Sequence, residues 1–271
     1  MKRVTSRDNR IYKLCSRLGT KKYRDREGLY IAEGPNLLKE LLGSGRLRYV
    51  VLEEGFSERT ADFEKGFFEK ASAGEDGGTD GPEIVEMPEK LFRDVADTVF
   101  SQGILGIVER DEPAEDDFFE HVGNGNVVVL DRLQDPGNVG TIIRTADAAC
   151  YRGVIAMKGC VDIFSPKVVR AAAGSVFRVP VLFADTPSEA ARLLKSHGKK
   201  ILATSLDTDI RYYDVDMKKD TALIIGNEGN GICPEFFELA DTLVTIPMGG
   251  VIESLNASVA AGILMYEAMR A

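Results

Sequence analysis

At 271 residues, with 44% hydrophobic and 28% charged side chains, the chain has the composition of a globular protein of one large or two ordinary domains. No apolar run approaches the ~20 residues that cross a bilayer, and the charged N-terminal stretch lacks the apolar core of a signal peptide, so the expected location is the cytoplasm, with no membrane partner. Four separated cysteines without a C-x-x-C pair, and only His121 and His197, exclude a zinc centre of familiar spacing and make a Ser–His–Asp or Cys–His group improbable. No metal is expected, the thiols read as reduced and structural, and both histidines read as surface residues. The net charge of −9 argues against a nucleic-acid partner until its distribution is read. Residues 1–26 hold ten basic side chains against Asp8 and Asp25, which leaves one basic end on an acidic body. That end reads either as a solvated, partly frayed helix or as an RNA contact.

In chain order, residues 28–33 and 47–52 read as strands, with an amphipathic helix begun by Pro35 over 35–42 between them. A polar helical stretch follows over 58–71, then a solvated Gly- and Asp-rich loop over 74–82. A strand at 83–86, a helix near 88–96 and a strand at 104–108 complete a small α/β domain over 1–110. The acidic, Gly-containing residues 111–125 read as a linker, and a second domain as 126–271. There the pattern alternates. Strands are predicted at 126–130, 153–157, 180–183, 200–204, 221–225 and 242–246, and helices at 138–150, 165–173, 187–196, 233–239 and 255–270. Alternation of this kind gives a mostly parallel sheet covered by helices, with ligands held beyond the carboxyl ends of its strands.

Three loops fall at those ends. The first is Asp131-Arg132-Leu133-Gln134-Asp135-Pro136-Gly137-Asn138, after the buried run 127–130. Asn138 reads as the N-cap of a helix whose Val139, Ile142, Ile143, Ala146 and Cys150 face a core. Arg144 stands off that stripe between Gly140 and Ala148, with room for a ligand. The second loop runs from an apolar strand through Gly226-Asn227-Glu228-Gly229-Asn230-Gly231; its spacing is neither G-x-G-x-x-G nor a P-loop. The third, from Ile246 to Ser258, leads to a helix apolar almost all round, which must be buried in a core or a subunit interface. Each loop has a plain reading as a turn or a cap. Together they are specific.

The order D-P-G-N-V-G-T-x-x-R-T-A, then G-N-E-G-x-G, then I-P-M-x-G-x-x-E-S-L-N-A-S-V-A closely resembles the SpoU (TrmH-like) family of RNA ribose 2′-O-methyltransferases, in the SPOUT superfamily, over residues 126–270. Residues 1–110 resemble, more loosely, the substrate-binding domain that often precedes it. The resemblance implies an α/β fold with helices on both faces of a mostly parallel sheet and a trefoil knot, which pattern reading does not show and ordinary topology rules disfavour. It implies a homodimer with the site at the interface, and S-adenosylmethionine as cofactor. The matching cofactor positions are Gly226, Ile246 and Leu255, with Asn227 and Met248 nearby. The implied catalytic set is Arg144, acting on the ribose hydroxyl, surrounded by Asn138, Glu228, Ser254 and Asn256. A guanidinium gives up its proton only with difficulty and is a reluctant base, so Arg144 acting as base and Arg144 binding substrate phosphate both stay open. Lys21, Lys22, Arg24 and Arg26 are the expected RNA contacts. Ribosomal RNA is the favoured substrate and transfer RNA the second. The other classes are a non-catalytic, ribosome-associated RNA-binding factor of the same fold, and a nicotinamide enzyme, whose glycine fingerprint is missing after Leu130.

Overall fold

The computed structural model describes residues 2–56, 67, 81–98, 100–252 and 254–270. The polar helix expected at 58–71 and most of the loop expected at 74–82 lie outside the described residues. The chain forms two compact units, Met1–Arg110 with Phe164–Arg170, and Asp111–Ile163 with Ala171–Ala271.

The first unit is built on five strands, β1 (Lys2–Arg3), β2 (Leu29–Glu33), β3 (Leu47–Glu53), β4 (Glu83–Met87) and β5 (Ile104–Glu109), in the order β1-β4-β3-β5-β2. The strands β1, β4 and β3 run parallel, and β5 runs antiparallel to both β3 and β2. Helices α1 (Arg10–Leu18), α2 (Lys21–Glu27), α3 (Pro35–Leu41) and α4 (Glu89–Val95) accompany them. The basic N-terminus is folded, not frayed. Asn9 caps α1, its side chain accepting from the Ile11 N–H at 2.8 Å. Ile11, Cys15 and Leu18, spaced four and three apart, are buried in one cluster with Val51, Val85, Phe92 and Ile107. The chain leaves α2 through Gly28 at φ 64°, a left-handed position that suits glycine.

The second unit opens with a helix where a linker was expected. The helix α5 (Glu115–Val122) buries Phe118, Phe119 and Val122 in the core of this unit. Its ring contacts also change the reading of His197, which stacks on Phe119 with ring centroids 3.8 Å apart and planes 3° from parallel. Strands β6 (Val127–Leu130), β7 (Gly153–Met157), β8 (Val181–Ala184), β9 (Lys200–Thr204), β10 (Thr221–Ile225) and β11 (Thr242–Val244) form one sheet, order β11-β9-β10-β6-β7-β8. Every neighbouring pair is parallel. Every residue of β6, β7 and β10 is buried, as continuous apolar runs require when both faces of a parallel sheet are covered. The flanking helices are α6 (Pro136–Ala148), α8 (Pro187–Ser196), α9 (Pro234–Leu239) and α10 (Ala257–Glu267), with α10 packed on α6, while α7 (Pro166–Ala171) lies, but for Ala171, in the segment Phe164–Arg170 that belongs to the first unit.

Helix α6 starts earlier than expected. Its N-cap is Asp135, whose carboxylate accepts from the Asn138 N–H at 2.7 Å, and Pro136 fills the first turn. Proline has its φ preset for that position and lacks the N–H that a first-turn residue would leave unpaired. Asn138 therefore lies inside the first turn with its side chain released. Cys150, expected on the core stripe, is exposed beyond the helix end at φ 57°.

Gly153 opens β7 directly against α5. A Cβ there would lie 2.5 Å from Phe118 Cζ and 2.9 Å from Val122 Cγ2. Gly153→Ala should overpack this contact and cost about 1–3 kcal/mol, read as a lower denaturant midpoint. An unchanged midpoint would show that α5 is not held tightly on the sheet.

Candidate active site

Because β10 pairs with β6 from Ala222↔Val127 to Ile225↔Leu130, the loops after both strands leave the sheet side by side. The chain moves from β6 outward to β7 on one side, and β9 and β11 lie on the other. This reversal is where open α/β sheets leave a crevice.

Asp131 is the first residue past β6 and is 1% exposed. Its N–H donates to the Ile225 carbonyl at 2.8 Å. Its carboxylate accepts from Arg132 Nε at 2.8 Å, Arg132 Nη2 at 3.0 Å and the Cys233 N–H at 2.6 Å. Arg132 adopts φ 58°, uncommon for a side chain of its size, and its carbonyl accepts from Asn227 Nδ2 at 2.8 Å. The second loop closes on itself. Asn227 and Gly231 exchange backbone hydrogen bonds of 3.0 and 2.9 Å, and Asn227 Oδ1 accepts from the Gly229 and Asn230 N–H groups. Gly226 is required here, since a Cβ would sit 2.4 Å from Gly231 C and from Ile232 N.

The closed loop aims Glu228 at the start of α6. Its Oε1 accepts from Asn138 Nδ2 at 3.0 Å and from the Asp135 N–H at 3.1 Å, while Oε2 accepts from the Gln134 N–H at 3.2 Å. Asn138 is 8% exposed, and its Oδ1 accepts from Asn256 Nδ2 at 3.0 Å. Asn256 Oδ1 in turn caps α10, accepting from the N–H groups of Ser258 and Val259. Each amide thus donates with its nitrogen and accepts with its oxygen, which fixes both orientations. Glu228, Asn138 and Asn256 join all three loops in one chain of hydrogen bonds.

The remaining expected residues are placed separately. Arg144 lies six residues beyond Asn138, about 9 Å along the helix axis. It is exposed and has no hydrogen bond or ion pair among the described residues. Ser254 is exposed and likewise without a hydrogen bond among the described residues. Ile246 and Met248 are half-buried, and Leu255 is exposed. The N–H groups of Ile246, Met248, Gly249 and Gly250 have no partner among the described residues. Around α2, Lys21 and Lys22 are exposed without an ion pair among the described residues, and Arg26 pairs with Glu27 and lies 4.8 Å over the Tyr23 ring. Arg24 does not join them. It is 4% exposed and donates from Nη1 to the Leu18 carbonyl at 2.7 Å, tying α2 to the end of α1. Sequence reading gave no role to Asp131, Arg132 or Asp135; a carboxylate immediately after a buried strand at the crevice was the available signal.

Partial burial pushes the Glu228 carboxyl upward, but hydrogen bonds from Asn138 and from backbone N–H groups outweigh it and hold its pKa below the usual Glu value. A group depressed in the folded state stabilises it above the unfolded pKa, and that contribution is lost as pH falls through the folded value. The stability gap between the native chain and Glu228→Gln should therefore be widest above the ordinary carboxylate range and narrow on acidification. A gap constant with pH would exclude ionised Glu228 from the network.

Comparison with known proteins places this geometry. The SpoU rRNA Methylase family matches residues 125–266, and the MRM3-like substrate binding domain matches residues 9–106. The chain is 33% identical to the Bacillus subtilis 23S rRNA (guanosine(2553)-2′-O)-methyltransferase RlmP, over 98% of both chains. It is 29% identical to the Streptomyces viridochromogenes 23S rRNA (uridine(2479)-2′-O)-methyltransferase, over 99% of this chain and 92% of that one. The crystal structure of an AdoMet-bound rRNA methyltransferase from Sinorhizobium meliloti superposes with a TM-score of 0.84 at 33% identity, covering 98% of this chain and 97% of the other. With three loops converging as its motifs require, and a match over more than half its length, the chain belongs to the SpoU rRNA Methylase family.

Proposed function

We propose that this chain transfers a methyl group from S-adenosylmethionine to a ribose 2′-hydroxyl of RNA, with ribosomal RNA as the substrate. The observation that carries the reading is the hydrogen-bonded chain Glu228–Asn138–Asn256, which joins all three family motifs at one edge of the sheet. The full-length relatives named for 23S rRNA favour ribosomal over transfer RNA.

The residues present fit the cofactor. The half-buried Ile246 and Met248 with the exposed Leu255 offer apolar surface, and the free N–H groups along 246–250 offer donors for a base edge and a carboxylate. Gly226 and Asn227 shape the facing turn. When bound, S-adenosylmethionine supplies a methyl group on a sulfonium, open to in-line displacement by an oxygen nucleophile. The protein's task is then to place that oxygen. Arg144, exposed and unpaired among the described residues, presents five donors and no acceptor, which suits holding the 2′-hydroxyl or its neighbouring phosphate better than removing a proton. Glu228 is engaged by three donors, so it and Asn138 orient the site, while Ser254, exposed two residues before Asn256, is available to the substrate.

The first unit serves as the RNA-binding domain, with Lys21, Lys22 and Arg26 as its phosphate contacts. The chain works as a homodimer. Val251 is 99% exposed and Ile252 71%, and α10, apolar nearly all round, leaves Val259 and Tyr266 half-exposed. Such surface is covered by a second copy. The proposed trefoil knot is supported by the path from the edge strand β11 back to α10 packed on α6. None of the described helices is long and apolar enough to cross a membrane, and the cytoplasm is the proposed location.

Arg144→Ala should abolish methylation of ribosomal RNA while S-adenosylmethionine binding, followed by calorimetry, stays near the native value. Near-normal turnover would remove Arg144 from the site. Lys21→Ala with Lys22→Ala should weaken RNA binding and lower the slope of log affinity against log salt by about 1–2. An unchanged slope would return both lysines to solvent.

A further inference from the structure

Phe100 is 93% exposed, although phenylalanine ranks among the most buried residue types. It sits on the segment between α4 and β5, in the unit whose family match is a substrate-binding domain. The segment is tied down on both sides of the ring. Glu33, at the end of β2, accepts from the Asp97 N–H at 3.0 Å, from the Thr98 N–H at 3.3 Å and from the Thr98 hydroxyl. Beyond Phe100, Ser101 Oγ accepts from the Gly103 N–H at 3.2 Å, and the Gly103 carbonyl accepts from the Glu53 N–H at 2.8 Å. Both flanking anchors are strand ends, so the ring is held out at the carboxyl edge of β2 and β3. Two exposed amides belong to the same edge. Gln102 closes over Gly34, its Oε1 lying 3.0 Å from where a Cβ would stand, and Asn36 lies two residues past Gly34. The acidic groups of the segment are neutralised or engaged, Asp97 by Arg170 of the same unit at 2.8 Å and Glu33 by the loop itself.

We propose that Phe100 is a stacking platform for one unpaired base of the RNA substrate, with Asn36 and Gln102 beside it to read the base edge. The proposal rests on the RNA-methylation reading above and deepens it, naming the feature of the RNA that the first unit takes. Single-stranded bases are recognised by stacking on aromatic rings and by hydrogen bonds to their exposed edges. A ring carried on a segment anchored on either side needs little backbone ordering on binding, and an edge with its charges engaged contributes through the ring and not through phosphates.

The test uses the full chain, an unmodified 23S rRNA transcript, and a single-stranded RNA oligomer carrying 2-aminopurine. Phe100→Ala should raise KM for the transcript about 5- to 100-fold, with kcat at saturating RNA, cofactor binding and the salt slope of RNA affinity unchanged. Phe100→Trp should restore KM, and the quenching of 2-aminopurine by the native chain should vanish in Phe100→Ala. An unchanged KM and unchanged quenching in Phe100→Ala, with methylation intact, would overturn the stacking role alone. A chain that binds and quenches through Phe100 yet methylates no ribose would sink the methyltransferase reading and leave this one standing.

Discussion

Everything at the candidate site depends on satisfying one buried amide. Asn138 is taken almost wholly out of water, and a buried amide left without partners costs about 1–3 kcal/mol. Its two partners come from distant parts of the chain, a carboxylate on the loop after β10 and a second amide at the start of α10. The sheet order makes this feasible, because β10 inserts beside β6 and brings the two loops together at their roots. A different strand order would leave Asn138 stranded, so fold and site are conditions on each other.

A second layer holds the first in place. The Asp131 carboxylate gathers the Arg132 guanidinium and the Cys233 N–H, and the Arg132 carbonyl takes the Asn227 amide. The left-handed backbone at Arg132 costs about 1–2 kcal/mol, a strain that persists only where surrounding contacts over-determine it. Here they do, through both the side chain and the carbonyl of the same residue. With Gly226 admitting the returning chain at contact distance, the loop bearing Glu228 has little freedom left. Groups fixed before substrate arrives need no reorganisation at the moment of reaction.

Much of the second unit was legible in the sequence because buried parallel strands are written as unbroken apolar runs, and the runs at 127–130, 153–157 and 221–225 coincide with strands. The convergence of three loops followed from strand–helix alternation. The strand order did not, since nothing in a run of valines says which neighbour it will take. Local chemistry misled where two capping residues competed: both Asp135 and Asn138 suit an N-cap, and Pro136 decided for the first. Acidic surroundings hid Phe118 and Phe119, so a core helix read as a linker. Charge hid two further structural roles. Arg24 read as a phosphate contact, yet it bridges two helices, and Lys199 is buried with its ammonium donating to the carbonyls of Gly123 and Gly125 and to Asp220. Long cationic side chains carry apolar stems, and a sequence does not reveal whether the head reaches solvent or a carbonyl.

The hydrogen bond between Asn138 and Asn256 spans 118 positions, and its far partner sits immediately before α10. During synthesis, strands β6 to β8 have long emerged before that helix exists. A chain that stops before α10 and its N-cap lacks Asn256, and with it one of the two side-chain partners of Asn138. The Asn138 network therefore draws its last partner from the C-terminal end of the chain, where α10 packs on α6.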